Sequence, residues 1–550
     1  MWNRLTNKQH YNRPTTCHIT QQSEVNNISK WHIVFDASSH VKGHPALNDA
    51  LKVGPNLMPN IIATLLCFHL HKRALVRDGS QAFLQLTLHP DNRAVTRFFW
   101  FKVVTDEKRY LHTTKELAAY RFQCLPFGLA FSPFLLSAAL RELAASSTIS
   151  HPSAAHILDK GLYMDNFSAG DDDDPAVIQI YRDITDMMGQ IQLSMAKWAT
   201  NSKLLKKLWE DTKIAYAQKT RILGVDWDTT KDEFTIDYND VVSDAVERPG
   251  TKCLLLAATS RFYDPLELFA PVSITRKIIF QDTWLRGLQW DEVLPADIST
   301  HWNHWVEDLQ HLSFVSIPRW IKTTRFNLHL AKIHVFCDAS ERAYGAVIYI
   351  RTNLPSGISM CLLCSKARLA PIKRVTLPRL ELLAALVGCC LLKYVTTETN
   401  LQREDAVLWS DAKVILGWIR GHPNRWKTFV QNRVKEIQSF TNPNQWRHCP
   451  GTDNPADHLS RGLTAEYLRS YTFWWRGPQW LSQTKEYWPT NDHPPPSDCT
   501  AEERKHVVTL HTAAHIELLD TSRFSSYIRL LRVTAWILRF ITLCKIHPPE

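Results

Sequence analysis

The sequence predicts a multidomain α+β protein, and three observations carry that expectation. Its 550 residues correspond to about three to five domains of ordinary size. Helical and alternating apolar spacings are interleaved from near Lys30 onward, and a strand, strand, helix, strand order beginning at Ile333 reads as a separate α/β domain. At 45% hydrophobic and 21% charged residues, the chain can fill several cores and is neither a disordered acidic tail nor a collagen-like repeat. No run approaches the roughly 18 uninterrupted apolar residues of a membrane span, and the amino terminus lacks the apolar core of a secretory signal. The net charge of +10 suits a polyanionic partner if it gathers on one face, while most of the 20 Trp are expected in cores.

Taken in order, residues 1–29 lack periodicity and are expected to be irregular. Trp31 to Phe35 is a short apolar run closed by Asp36-Ala-Ser-Ser39, a strand and a turn. Helical spacing over Ile61 to Leu70 is followed by strands at Ala74 to Val76, Leu84 to Leu88 and Val95 to Phe101, the middle one alternating as Leu84, Leu86 and Leu88. Ser132-Pro133 supplies an N-cap and a first-turn proline for a helix to about Ala145. Asp174-Pro175 does the same for the helix bearing Val177, Ile180, Ile184, Met187 and Met188. The acids Asp171 to Asp174 read as loop and helix-start residues favoured by the helix dipole rather than as a metal site. Leu162 to Phe167 is a strand-turn-strand candidate. Lys203 to Glu210 and Leu266 to Leu288 read as helical, with a strand pair at Leu223 to Trp227 and Phe234 to Asp237. The second α/β region runs through Ile333 to Phe336, Gly345 to Ile350, a helix from Leu380 to Tyr394 and a strand at Val407 to Trp409. Pro494-Pro-Pro496 marks a linker, and Ala501 to Cys544 reads as a basic amphipathic helical tail.

Two sets of carboxylates stand out. Asp78 ends a strand and Asp165 sits at the hairpin turn Tyr163-Met-Asp-Asn166, so two strand ends can bring them together. Here the sequence resembles the reverse transcriptases of long-terminal-repeat retrotransposons, most closely the BEL/Pao group. The resemblance runs through Ile33-Val-Phe-Asp-Ala-Ser38, Leu47-Asn-Asp49, Gly54-Pro55, Asp78 with Ala82-Phe-Leu-Gln85, Arg97-Phe-Phe-Trp100, Phe122-Gln-Cys-Leu-Pro-Phe-Gly128 and Tyr163-Met-Asp-Asn166. It implies a right-hand polymerase, with fingers and palm over 30–240 and a helical thumb or connection over 241–330. The implied chemistry is nucleotidyl transfer, in which two divalent ions roughly 3.5 to 4 Å apart stabilise the attacking 3′-oxygen and the leaving pyrophosphate. Hard oxygen ligands such as Asp78 and Asp165 suit Mg²⁺.

In the same resemblance Phe83 packs against the sugar and disfavours a ribose 2′-hydroxyl, and Phe127 and Gly128 belong to the nucleotide-binding segment. Three positions depart from the family or carry over less firmly. Asn166 stands where a second Asp is usual, which removes one negative charge and predicts weakened metal binding with reduced DNA synthesis. His32 stands where related retroviral enzymes usually have a triphosphate-gripping arginine. Lys197 matches a segment that could protonate pyrophosphate, although a solvated surface lysine is the simpler reading.

The second set is Asp338, Glu381, Asp411 and Asp457, spaced by 43, 30 and 46 residues. They fall on a strand, a helix, a strand end and a helix start. Their order, with Leu377-Pro-Arg-Leu-Glu381 and Asn454-Pro-Ala-Asp-His-Leu-Ser-Arg461, resembles the ribonuclease H domain of BEL/Pao retroelements. That likeness implies an α/β ribonuclease H-like domain over 331–465 and a second two-ion site that cleaves RNA paired with DNA. A Trp/Pro-rich linker over 466–500 and a helical pre-integrase spacer over 501–550 are expected to follow. Neither His448 nor His458 has the context to be carried over as the loop histidine of that family. Cys361 and Cys364 read as core thiols, lacking a second Cys or His pair for zinc.

The resemblance thus implies part of a retrotransposon Pol polyprotein with two Mg²⁺ ions per site, Mn²⁺ being the alternative. RNA template, DNA primer, RNA–DNA hybrid and deoxynucleoside triphosphates are the implied partners, without a membrane, in the cytoplasm and in virus-like particles. The rival class is a decayed or repurposed nucleic-acid-binding derivative, motivated by Asn166 and His32.

Overall fold

The structure is a computed structural model that describes residues 17–25, 28–40, 43–79, 82–105, 111–164, 166–193, 195–490, 497–504 and 520–546. Two compact units divide the chain, residues 1–503 and 504–550.

β1 (Cys17–Val25) and β2 (Ile28–Phe35) form an antiparallel ladder. The segment expected to be irregular is therefore strand from Cys17 onward. A ladder satisfies backbone N–H and C=O groups whatever the side-chain period, so a sequence without alternation can still join one. After the short helix α1 (Leu47–Ala50) comes α2 (Ile61–Leu70), capped by Asn60, whose Oδ1 accepts the Ile62 N–H at 2.9 Å.

β3 (Arg73–Gly79) follows. The strand expected at Leu84 to Leu88 is instead a 3₁₀ turn over Ala82–Gln85 that buries Ala82 and Phe83. Its alternation survives only in one bridge, Thr87 with Cys124, flanked by Leu88 N–H to Gln123 C=O at 2.9 Å and Leu125 N–H to Leu86 C=O at 2.8 Å. Tertiary burial of Phe83 overrides the local pattern. β4 (Arg97–Thr105) and β5 (Leu111–Arg121) then form a long hairpin.

Next come α3 (Ser132–Ser146), α4 (Pro152–Gly161), β6 (Leu162–Tyr163), β7 (Asn166–Asp171), α5 (Asp174–Gln190) and β8 (Met195–Thr200). The antiparallel sheet they make has the order β6-β7-β3-β8, with β3 inside it. α5 buries Val177, Ile180, Ile184, Met187 and Met188, the apolar stripe visible in the sequence. Asp173 accepts the Ala176 N–H at 2.8 Å, Arg325 pairs with Asp171, Asp172 and Asp173, and Arg73 pairs with Asp174, so the acidic run is a helix start tied to two arginines.

The middle of the chain holds α6 (Lys203–Asp211), β9 (Lys219–Ile222), β10 (Val225–Asp228), β11 (Glu233–Thr235), α7 (Asn239–Glu247), α8 (Lys252–Arg261), α9 (Ala270–Leu285), α10 (Ala296–Asp308) and β12 (Ile317–Pro318). The helix expected from Leu266 begins only at Ala270. Before it, the Asp264 carboxylate accepts the N–H groups of Leu268 at 2.9 Å and Phe269 at 2.7 Å, and Glu267 adopts φ +50°, which together make a turn. Arg319, fully buried, joins this region to the β6-β7-β3-β8 sheet. Its guanidinium grips both Asp232 oxygens, at 2.6 and 2.9 Å, and donates to the Phe68 and His71 carbonyls at 2.6 and 2.7 Å, just before β3.

The α/β region consists of β13 (Ala331–Ala339), β14 (Ala343–Leu354), β15 (Gly357–Leu369), α11 (Leu377–Thr399), β16 (Val407–Ser410), α12 (Lys413–Arg420), α13 (Thr428–Phe440), β17 (Trp446–His448) and α14 (Asp457–Arg461). Its five strands lie in the order β15-β14-β13-β16-β17, antiparallel from β13 outward to β15 and parallel from β13 to β17. By length and composition α11 could cross a membrane, with a mean hydropathy of 1.6 over its best window. In the fold it packs on β13 and β14, which explains its apolar faces. Gly388 permits that approach, because a Cβ there would stand 2.5 Å from Cys337 Sγ.

The expected linker over 466–500 is corrected in its first part. α15 (Ala465–Ser470) and α16 (Thr472–Arg476) carry the chain back over the sheet, burying Trp474 and Leu481. Trp474 Nε1 donates to Leu268 C=O at 2.9 Å, Tyr349 Oη to Trp474 C=O at 2.6 Å and Arg351 Nε to Leu481 C=O at 2.9 Å. Prolines suggested a spacer, but the aromatics between them have an apolar face to cover. Residues 491–496 lie outside the described residues, as do 505–519 of the expected helical tail. In the second unit α17 (Tyr527–Ile546) is a helix, as the sequence predicts for that part of the tail.

Candidate active sites

The two parallel neighbours β13 and β16 pair Phe336 with Trp409. Asp338 and Asp411 each lie two residues further on, so the register alone sets them side by side at the carboxyl-terminal edge of the sheet. Glu381 comes from the first turns of α11, seven residues before Gly388 and so on the same helix face, which presses on β13. Ligand oxygens of Asp338, Glu381 and Asp411 all lie within 4.8 Å of one another.

Several neighbours hold this triad. Ser460 Oγ donates to Asp338 Oδ2 at 2.5 Å and is itself buried. Asn454 Nδ2 donates to Cys337 C=O at 3.0 Å and reaches Asp411 Oδ1 at 3.5 Å. Gly345, paired with Asp338 across the ladder, leaves room for Leu459 of α14, since a Cβ there would stand 3.1 Å from that side chain. Ser460 and Asn454 lie inside the Asn454-to-Arg461 motif, but their positioning role needs the tertiary structure to be seen.

Burial dominates the electrostatics. It pushes the Glu381 carboxyl up to about 9, with Asp338 and Asp411 adding like-charge repulsion. Asp338 rises to about 7, chiefly through burial, with the Ser460 hydroxyl opposing the shift. Asp411 is raised by burial as well, opposed by hydrogen bonds that include Asn454. Glu381 Oε2 is buried with no hydrogen-bond partner. Three crowded carboxylates with an unsatisfied inner oxygen are a donor set that fits a hard divalent cation.

Asp457, the fourth acid of the sequence pattern, is not a member of this close group. It starts α14, and its Oδ1 is ion-paired with Arg461. Its charge nevertheless raises Asp338, Glu381 and Asp411, so it lies beside them. His448 pairs with Ser410 in the ladder, and the His458 ring contacts Tyr471 Oη at 3.2 Å.

At the other site the backbone brings the motifs together. Asp78, near the end of β3, pairs with Asn166 at the start of β7. The Asp78 side chain and all of Asp165 lie outside the described residues, as does the His32 side chain. Phe83 is buried, with its ring centroid 4.3 Å from that of Phe127, which is half exposed. Gly128 has φ +101°, and a Cβ there would fall 1.8 Å from Phe35 C=O, so only glycine fits. Asn48, a position to which the sequence assigned no role, braces this loop: its Nδ2 donates to Gly128 C=O at 3.0 Å and Ser38 Oγ at 2.9 Å, and its Oδ1 accepts the Ala130 N–H at 2.9 Å. Lys197 sits at an irregularity of β8, where Val76 pairs with Ala199 and Asp78 with Ala196. It takes φ +55° and is exposed.

A five-stranded sheet with a buried acid triad at the carboxyl ends of its adjacent parallel strands defines a ribonuclease H-like domain. Residues 251–412 match the family model described as the Pao retrotransposon-like RNaseH-like domain. Over these residues the match bears out the resemblance to Pao retroelements drawn from the motifs. The match starts in the helical region before β13 and ends just beyond Asp411. No curated protein matches the sequence.

Among solved structures, the foamy viral protease-reverse transcriptase dRH in complex with double-stranded DNA is similar at 13% identity and a TM-score of 0.49, over 78% of this chain and 66% of that one. The foamy viral protease-reverse transcriptase in complex with an RNA/DNA hybrid is similar at 12% identity and a TM-score of 0.49, over 82% of this chain and 52% of that one. The chain therefore spans just under two thirds and about half of these two proteins.

Proposed function

We propose that the chain is an RNA-directed DNA polymerase with ribonuclease H activity, copying RNA into DNA and cleaving the RNA of the hybrid. The observation that carries the reading is the triad of Asp338, Glu381 and Asp411 within 4.8 Å, with the inner Glu381 oxygen unsatisfied. These residues would hold Mg²⁺, with Asp457 as the fourth acid. Divalent cations bound there supply Lewis-acid neutralisation of charge developing on a phosphodiester. The chain's own part is to hold three carboxylates together with Asp457 beside them, to fix Asp338 through Ser460 and to fix Asp411 through Asn454.

For polymerisation, fingers, palm and helical thumb are assigned to 30–240 and 241–330, with Asp78 and Asp165 as metal ligands and Phe83, Phe127 and Gly128 at the nucleotide. The pairing of Asp78 with Asn166 supports this assignment, because it brings the strand end to the hairpin. The Asn166 amide weakens the site, so DNA synthesis is the lesser activity. RNA template, DNA primer and deoxynucleoside triphosphates are the substrates in this reading, and the site of action is a cytoplasmic virus-like particle. Asn166 also favours a second reading, a derivative that binds and cleaves hybrid without polymerising.

One purified preparation, assayed with Mg²⁺ for RNA cleavage in a hybrid and for primer extension on RNA, tests both. Cleavage with weak extension is expected. Cleavage with extension no higher than that of Asp165→Ala selects the second reading, and binding without either reaction overturns the first.

A further inference from the structure

After the buried Trp488 the chain leaves the described residues and returns at 497 to lie across the nuclease domain. Cys499 is buried there, its carbonyl accepting Trp418 Nε1 at 3.1 Å. The next residues are acidic and meet cations one by one. Glu502 Oε1 pairs with Arg379 Nε at 2.8 Å and Glu503 Oε1 with Arg425 Nε at 2.7 Å. Lys427 donates from its backbone N–H to Glu502 C=O and from Nζ to Ala501 C=O, each at 2.8 Å. Among the described residues, neither arginine ion-pairs with any other acid.

These cations sit on elements that carry the triad or follow it in the chain. Arg379 is two residues before Glu381 on α11, and Cys499 Sγ reaches Val414 C=O at 3.5 Å, three residues beyond Asp411. Both guanidiniums are also set over rings, Arg379 at 4.8 Å from the Phe429 centroid and Arg425 at 5.0 Å from that of Trp426. Guanidiniums held in this way, in the domain that carries the acid triad, are pre-arranged for anionic oxygens. Of the two acids, Glu502 is imperfectly satisfied, since its Oε2 is buried with no hydrogen-bond partner.

We propose that Arg379, Arg425 and Lys427 form a binding face for the phosphate backbone of an RNA–DNA hybrid, and that residues 499–503 are an acidic strap occupying this face until the hybrid displaces it. The inference rests on the ribonuclease H reading and adds a regulation to it. The strap presents two carboxylates where the ligand presents phosphates, so the two compete, and the free chain binds hybrid less tightly than its cations permit.

The test compares the full chain with its Glu502→Gln/Glu503→Gln variant, titrating a short labelled RNA–DNA hybrid at several salt concentrations in EDTA, where it is not cleaved. The variant is expected to bind about tenfold more tightly. Its plot of log affinity against log salt is expected to steepen by about 2, one released counterion for each freed guanidinium. Adding Arg379→Gln and Arg425→Gln removes both gains. Equal affinity and equal slope in the two chains overturn the strap, leaving it a structural staple. Hydrogen exchange in the unmodified chain gives an answer even if the variant misfolds: saturating hybrid is expected to deprotect 499–503, and retained protection overturns the proposal. Absence of hybrid binding by either folded chain overturns the nuclease reading itself, and the strap with it.

Discussion

The two acid sites are built from the same chemistry on opposite terms. Asp338, Glu381 and Asp411 come from three elements of one sheet-and-helix layer, are largely withdrawn from water, and all have raised pKa values, chiefly through burial, with Asp411 also raising Asp338 and both raising Glu381. Asp78 ends a strand beside a hairpin, and the residue it pairs with is Asn166, an amide. A crowded buried cluster is costly without cations and so is strongly committed to holding them, whereas a strand-end site with one charge fewer is not. If both sites act as proposed, the difference teaches that one chain can keep one metal-dependent reaction robust while the other weakens.

Neutralising the triad is expected to have the largest effect. Asp338→Asn or Glu381→Gln should lower RNA cleavage by about three orders of magnitude, the loss of several kcal/mol of charge stabilisation. Mg²⁺ should raise the melting temperature of the unmodified chain and lose that effect in these variants. Cleavage within tenfold of the original, with the metal-dependent shift retained, would place the chemistry elsewhere.

Ser460→Ala comes next. Removing the hydroxyl that holds Asp338 Oδ2 at 2.5 Å should cost about 10- to 100-fold in cleavage or metal affinity, read from a titration of cleavage rate against Mg²⁺. A smaller change would mean that the sheet alone orients Asp338.

At the other site, Asn166→Asp should raise primer extension about tenfold by restoring a charged ligand and leave RNA cleavage alone. If extension does not change, the contrast between the sites has another cause than this amide.

The smallest effect concerns a buried imidazole in each half. Burial, with Arg319 next, lowers His69 to about 4, and burial, with Arg351 next, lowers His334 to about 3. The unfolded chain takes up these protons below the ordinary value near 6.5 while the folded chain resists, so stability present above that pH is lost as pH falls. Melting temperatures followed from pH 7 to pH 4 should therefore drop, and less steeply in His69→Gln and in His334→Gln. Parallel curves for all three chains would assign acid sensitivity to other groups.

Much of this was legible along the chain. The apolar stripe of α5 and the strand, strand, helix, strand order of the ribonuclease H-like domain follow from local period, whereas the cap of α5 is Asp173, one residue before the Asp174 that the sequence suggests. The four acids of the ribonuclease H-like domain could be listed because their order and surrounding motifs are specific. Their division into a close triad and an Asp457 tied to Arg461 was not legible, since it depends on side chains meeting across elements. Leu84 to Leu88 misled for the opposite reason: its alternation is real, but burial of Phe83 in a 3₁₀ turn outweighs it.

By itself the sequence determined which residues have the chemistry to hold cations and where most of the helices and strands of the ribonuclease H-like domain lie, because these depend on residue type and on neighbours a few positions away. Tertiary structure alone decided that β1 finds a partner, that Trp474 and Leu481 close over the sheet instead of spacing domains, and that Glu502 and Glu503 return to Arg379 and Arg425. Those outcomes are contacts between residues far apart in the chain, and no local period encodes which distant surface will be left uncovered.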